Sequence, residues 1–396
     1  MSYSAQARAR EAAVLAAREL VPALKARARD TESRRRLNEE TLHELHERKL
    51  FRILQPARLG GGELPFATLI DVTAELAKGC ASTAWVVANL ATRHWMLAMF
   101  PKAAQEVVWG DSPDTLLAAS VIFTAGRARA VPGGFVLNGR WPFASGIHHS
   151  SWVMLAATVP GEGGQADDSR LFLVPALSYR VADNWQVAGL AGTGSADVVV
   201  EEVFVPEALS LSVARTLGGP TPGHEVNASP LYQIPLFAVF PFTLSGVALG
   251  NAQGFADEYL ATTRHRVGRY GGAKLAELQS SQLAIARATA QVDSAARAMH
   301  AAANEATVDA ERGVVPAMPD KARWRRDGAY AVGLCTEAVG TLFNAAGAAA
   351  IHLDNPLQRH FRDAHAIQSH IAFSFDIAGS LYGRVALGLE AGNPFL

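Results

Sequence analysis

The sequence predicts an α+β protein in three consecutive parts: a helical N-terminal domain over 1–115, a small β-domain over 116–215 and a helical bundle over 216–396. Three observations carry this. Apolar residues recur at three- and four-residue spacing to about residue 110. They give way to short β-branched and aromatic runs cut by Gly, Pro and Asp, then return to helical spacing from Pro241 onward. With 396 residues, 49% of them hydrophobic, the chain can bury a large core in more than one compact domain.

The first helices are read from AAVLAARELVPALKARA and TLHELHERKLFRIL, where Ala, Leu and Val are spaced between charged residues. Gly60-Gly61-Gly62 interrupts the pattern. Ser82 and Thr83 stand near the start of a long apolar helix, TAWVVANLATRHWMLAMF, and Pro101 marks its end or the start of the next. Strands are predicted at TLLAASVIF, GFVLNGRW, SSWVMLAATV, RLFLVPAL and DVVVEEVFVP. A Pro/Gly/Ser-rich connection without periodicity follows over 216–235. In the C-terminal part AELQSSQLAIARATAQVDSAARAMHAAANEA is the clearest amphipathic helix. The stretch Arg359 to Arg384 also runs helix-like, with His370 among apolar and small residues.

Composition narrows the function. A formal net charge of -1 gives no field of one sign, so nucleic acid and anionic membrane are poor partners. Two distant cysteines, Cys80 and Cys335, make neither a disulfide framework nor a zinc site. The charged N-terminus lacks a signal-peptide core, and no apolar run reaches the ~20 residues that span a bilayer, so a cytoplasmic protein is expected. There is no GxGxxG after a strand, no P-loop, no HExxH and no GxSxG elbow.

The most informative segment is RHFRDAHAIQSHIAFSFDIAGSLYGR, from Arg359 to Arg384. It resembles the closing segment of the acyl-CoA dehydrogenase superfamily, where Arg-Asp-Ala precedes a turn ending Tyr-Glu-Gly. Counting from Arg362-Asp363-Ala364, the Tyr position is His370 and the position of the dehydrogenase base is Ile371, which cannot take a proton. Four more segments extend the resemblance over nearly the whole chain: residues 79–101, 138–157, 185–206 and 264–279. The Gly-Cys-x-Ser-Thr-x-Trp opening, Ala-Ser-Gly followed by His149, and Gly-Thr-Gly-Ser are similar to the monooxygenase branch, the oxygenase components of two-component flavin hydroxylases. The resemblance implies a central β-barrel or sandwich, a C-terminal four-helix bundle, and a homotetramer assembled as a dimer of dimers.

The resemblance also implies a site. Phe143, Ala144, Ser145 and Gly146 fall where the dehydrogenases hold the flavin ring, with Ser145 reaching N5 or an oxygen on C4a. Arg264, Arg266 and Arg269 would hold flavin phosphate, partly across subunits. Phe343 and Ala346-Gly347 replace a Gln and a Gly pair that contact the dinucleotide, which leaves FMN as open as FAD. His370 would deprotonate a phenol or support the flavin hydroperoxide, chemistry that suits an imidazole near neutrality. Some relatives pair that His with an Asp four residues on; here Ser374 stands there, and Asp376 would turn away on a continuous helix. His94 matches a His placed near substrate, and Trp85, Trp95, Trp141, Phe143, Phe373 and Phe375 are candidate walls.

The implied function is hydroxylation of a small phenolic or indolic substrate, using reduced FMN or FAD and O2 through a C4a-hydroperoxyflavin. Lacking a nicotinamide site, the chain would draw reduced flavin from a separate NAD(P)H:flavin reductase. Other readings are S- or N-oxygenation, an acyl-CoA dehydrogenase with its base relocated to Glu258, and an inert scaffold.

Overall fold

The computed structural model describes residues 3–161, 166–268 and 272–396. Five helices come first: α1 (Tyr3–Arg34), α2 (Glu39–Glu47), α3 (Thr68–Gly79), α4 (Ala81–Leu97) and α5 (Lys102–Trp109). Asn38 caps α2 by accepting the Thr41 N–H at 2.8 Å, which satisfies one of the free donors at a helix start. All 17 residues of α4 are buried, so this helix is the central strut of the domain rather than an amphipathic surface element.

Eight strands follow: β1 (Leu117–Ser120), β2 (Gly126–Val131), β3 (Gly134–Ala144), β4 (Trp152–Val159), β5 (Asp168–Pro175), β6 (Arg180–Ala182), β7 (Ala196–Pro206) and β8 (Ser210–Ser212). They form one mixed sheet in the order β6-β7-β3-β2-β4-β5-β8, with β1 added in parallel on β4. The short strands β2, β6 and β8 lack an apolar run and escaped the sequence reading. Trp141 sits at the sheet's centre, fully buried, its indole donating to the Ala156 carbonyl. A side chain at Gly126 would collide with that indole. Trp141 is therefore core, not a pocket wall.

The pairing of β3 with β7 slips between Trp141 and Ala144. Such a bulge bends the strand and re-aims its end. Phe143 takes a left-handed backbone (φ 64) and Gly146 another (φ 74), so the strand end turns Ser145 into the protein.

The C-terminal helices are α6 (Ser245–Thr263), α7 (Gln279–Glu311), α8 (Met318–Ala346), α9 (Pro356–Gln368) and α10 (Phe375–Ala386). Helix α6 runs against α3 at backbone distance, because a Cβ on Gly246 or Gly250 would overlap the Ile70 or Ala74 carbonyl oxygen. The next residue, Asn251, ties α9 down: its amide donates to the His360 carbonyl at 2.8 Å and its oxygen lies 2.8 Å from His360 Nδ1. The expected continuous helix through His370 does not form. Residues 369–374 are a non-helical link, with His370 extended (ψ 136) and a single tight turn at Ile371–Phe373.

Asp363 fastens this bundle to the β-domain by accepting the Leu190 N–H at 2.6 Å. Burial pushes its carboxyl up to about 6 from 3.8, against the Leu190 N–H, which favours the charged form. The folded pKa lies above the unfolded one, so its contribution declines as pH rises through that interval. Asp363→Asn, which keeps an acceptor, should flatten the decline and hold or raise the urea midpoint at pH 8. Asp363→Ala, which strands a buried N–H, should cost about 1–3 kcal/mol.

Candidate active site

One face of α4 faces the link between α9 and α10. Trp85, Asn89 and Arg93 follow at four-residue intervals and so share a side of the helix. Trp85 donates its indole N–H to Ser145 Oγ at 3.0 Å, and its ring meets that of His370 edge-on at 5.6 Å. Phe240 stacks on His370 from another side at 6.4 Å, and Phe373 lies 5.8 Å away. Phe237 and Phe123 extend this aromatic box to Phe395 near the C-terminus. The structure thus brings Ser145 and His370 together through Trp85.

Ser145 heads a chain of hydroxyls. Its Oγ lies 2.8 Å from Ser195 Oγ, which lies 2.7 Å from Thr193 Oγ1, and Thr193 donates to the Leu190 carbonyl at 2.9 Å. Each hydroxyl has one proton. With Thr193 donating to the carbonyl, Ser195 donates to Thr193 and Ser145 to Ser195, which leaves Ser145 with acceptor capacity. In this orientation the Ser145 proton is held by Ser195 and a lone pair of Ser145 Oγ is left to accept.

His370 is defined by its own backbone. Its Nδ1 accepts the Ala372 N–H at 3.2 Å. A neutral imidazole with Nδ1 as acceptor carries its proton on Nε2. Burial first, then the charges of Arg93 and Arg325, push its pKa down to about 4, so the ring is neutral at pH 7. Nε2–H has no hydrogen-bond partner among the described residues and is left to donate.

Sequence reasoning missed both arginines. Arg93 is 3% exposed, and its guanidinium reaches only Asn89 Oδ1 (3.1 Å) and Met96 Sδ (2.8 Å). Arg325, on α8, donates Nη1 to the Phe237 carbonyl at 3.0 Å. Burial pushes each down to about 10, which leaves both charged at neutral pH. A lone arginine in the apolar stretch VVANLATRHWMLAMF, with no acid within four residues, was a readable signal for Arg93. The charged run KARWRRD carried none for Arg325.

His94 does not join this site. It lies one residue, about 100°, round the helix from Arg93. There it is fully buried, stacks on Trp109 at 5.7 Å and accepts the Trp109 indole N–H at 3.2 Å. Burial and the charge of Arg52 push its pKa down to about 3. Trp95 is likewise core, bonded to the Leu231 carbonyl. His149 ends the turn after Gly146, held down to about 4 by burial, its Nε2 buried without a partner. Glu258 pairs with Lys25 at 2.7 Å, so it is no relocated base.

The residues at the end of β3 fit a planar, hydrogen-bonding heterocycle. Phe143 is 60% exposed and stands edge-on to Trp185 at 6.1 Å, an apolar wall beside the Ser145 hydroxyl; Ala144 is buried behind it. Arg264 is exposed at the end of α6, and Arg266 donates Nη1 to the Ala346 carbonyl. Neither hydrogen-bonds or ion-pairs with a residue around Ser145 or His370, and Arg269 lies outside the described residues. Phe343, at the expected Gln position, stacks on Phe361 at 4.2 Å.

Comparisons with known proteins identify the family and the fold. Residues 4–109 match the acyl-CoA dehydrogenase N-terminal domain and residues 242–375 the acyl-CoA dehydrogenase C-terminal domain. The chain is 35% identical over 372 residues to the flavin-dependent monooxygenase oxygenase subunit HsaA of Rhodococcus jostii, covering 93% of this chain and 97% of that protein. It is 35% identical to the oxygenase component of the FADH(2)-dependent resorcinol hydroxylase of a Rhizobium species, covering 92% and 91%. The solved 3-HSA hydroxylase of Rhodococcus sp. RHA1 superposes with a TM-score of 0.92 at 34% identity, covering 96% and 98%. XiaF from Streptomyces, solved with FADH2 and glycerol, gives 0.92 at 29% identity, covering 99% of both chains. No helix among the described residues is long and apolar enough to cross a membrane. The chain belongs to the acyl-CoA dehydrogenase family, in its branch of flavin-dependent monooxygenase oxygenase components.

Proposed function

We propose that this protein hydroxylates a small aromatic substrate in the Trp85–Phe240–His370 box, drawing reduced flavin from a separate reductase. The observation that carries the reading is His370, boxed by aromatic rings beside Ser145, with Nε2–H free to donate. Reduced flavin, when bound, supplies the two electrons with which O2 yields one oxygen atom for the ring and one water. Phe143 and Trp185 would wall its ring, and Ser145 would accept an N–H from it.

His370 then acts as a hydrogen-bond donor to an oxygen of the reactants, not as a base. For Nε2 to take a proton, the ring would need its hydrogen on Nδ1, facing the Ala372 N–H. Ligands filling the space beside the half-buried His370 would displace water from it, which would strengthen the hydrogen bonds there. Arg264, Arg266 and Arg269 remain the proposed phosphate ligands; Arg264 is exposed, as a contact to a neighbouring subunit of a homotetramer requires.

The test mixes the protein with chemically reduced FMN or FAD under argon, then with oxygen-18 buffer and a panel of phenols and indoles. A hydroxylated product carrying one labelled oxygen per flavin oxidised is the expected result. Flavin oxidation with peroxide alone across the panel, with either flavin, would sink the reading.

A further inference from the structure

Arg93 and Arg325 are two positive charges beside one neutral histidine, and no carboxylate answers either of them. Among the described residues neither buried Arg93 nor half-buried Arg325 takes part in an ion pair, whereas Arg52, buried like Arg93, holds Asp114 at 2.9 Å. The Nε atoms of both Arg93 and Arg325 are buried without a hydrogen-bond partner. Desolvating a charge without a partner is costly, so the fold carries a deficit at Arg93, where the guanidinium is buried. The two sit on different helices and converge on the same aromatic segment. Arg93 Cζ lies 6.0 Å from the Phe240 ring, and Arg325 binds the Phe237 carbonyl one turn earlier. Phe240 in turn stacks on His370. The box is therefore electropositive while its walls are apolar, a combination suited to an aromatic anion.

We propose that the substrate is bound as an aromatic anion, its charge on a phenolate or ring-carboxylate oxygen, with Arg93 and Arg325 as the counter-charges that select it. This rests on the reading of the box as the substrate site. It also supplies what His370, fixed as a donor, does not: a phenol whose ionised form the arginines stabilise needs no histidine base. Arg93 acts through its field, since both of its terminal nitrogens are engaged by Asn89 and Met96. Arg325 Nη2 has no hydrogen-bond partner among the described residues and is the group left to touch the anion.

The experiment measures binding, under argon with reduced FMN or FAD present, of two ligand pairs. They are 4-cyanophenol against its methyl ether, followed by the near-ultraviolet shift of the phenol on ionisation, and 4-hydroxybenzoate against 4-hydroxybenzamide, followed by calorimetry. The anion of at least one pair is expected to bind tenfold or more tightly than its neutral partner, and the pair that does so names the charged group. Arg93→Met and Arg325→Met are each expected to cut that preference roughly tenfold, the size of a charge interaction at this range in a protein. Arg93→Met should also unfold at an equal or higher temperature, because an apolar isostere removes the desolvation cost. A merely structural Arg93 would give the opposite pattern, a lower unfolding temperature and an unchanged preference. Equal binding within both pairs, with Trp85→Ala weakening all four ligands, would overturn the charge proposal and leave the box standing. Binding indifferent to Trp85→Ala, or none at all, would overturn both.

Discussion

His370→Ala should lower ring hydroxylation by ~10²–10³-fold, the usual cost of removing one donor aimed at developing charge, while O2 still oxidises the bound flavin. Nε2–H is the imidazole donor that the link at 369–374 leaves without a partner among the described residues. Product yield per flavin oxidised should collapse and peroxide should rise to match. His370→Asn keeps an oxygen for the Ala372 N–H and so controls for local disorder of the link; its yield should also fall, since its shorter side chain ends before the Nε2 position. Retained coupling in His370→Ala would remove His370 from the chemistry. A stability readout accompanies the kinetic one. The folded pKa of about 4 lies below the ordinary 6.5, so the unfolded chain takes up this proton first. The contribution is fully present above 6.5 and is lost as pH falls toward 4. His370→Ala should flatten part of that acid slope, while His94, His149 and His360, which burial likewise holds below 6.5, keep their share.

The largest effect on folding is expected from Gly250→Val. The Cβ alone would overlap the Ala74 carbonyl, and the atoms it meets are all backbone of Ala74 in α3, which cannot rotate away. Overpacking a rigid contact costs about 1–3 kcal/mol and occasionally more; with backbone on both sides, more than about 4 kcal/mol is expected. Displacement of α6 also moves Asn251, which fastens His360 and through it α9 and the start of the His370 link. Chemical denaturation should show the loss, with weakened binding of the aromatic probes in whatever folded protein survives. An urea midpoint within the error of wild type would mean that α3 and α6 are not held this close.

Much of the architecture was legible because periodicity is local. The helices of both ends and five strands, β1, β3, β4, β5 and β7, announced themselves through spacing and apolar runs. β2, β6 and β8 did not: β6 and β8 are three-residue edges, and the interior β2 has no apolar run, so all three rely on their partners rather than on their own composition. His370 was read from the sequence as a phenol base or a support for the flavin hydroperoxide, and its hydrogen-bond geometry lay beyond that reading. A helical pattern continued through 369–374 on paper, and only the chain's break there turns Nδ1 onto Ala372 and decides which nitrogen carries the proton.

Arg93 and His94 make the same point within one helix. Adjacent letters are about 100° apart in space, and resemblance favoured the histidine where packing turned the arginine into the box. The sequence by itself determined the α–β–α order, the family, the loss of the dehydrogenase base and the place of Ser145 at a strand end. Only the tertiary structure decided that Trp85 joins Ser145 to His370, that His370 Nδ1 accepts the Ala372 N–H, and that two arginines without an ion pair among the described residues come from distant helices to its side. The reason is physical: local patterns report which face of an element is apolar, whereas hydrogen-bond direction and uncompensated charge exist only between elements once they are packed.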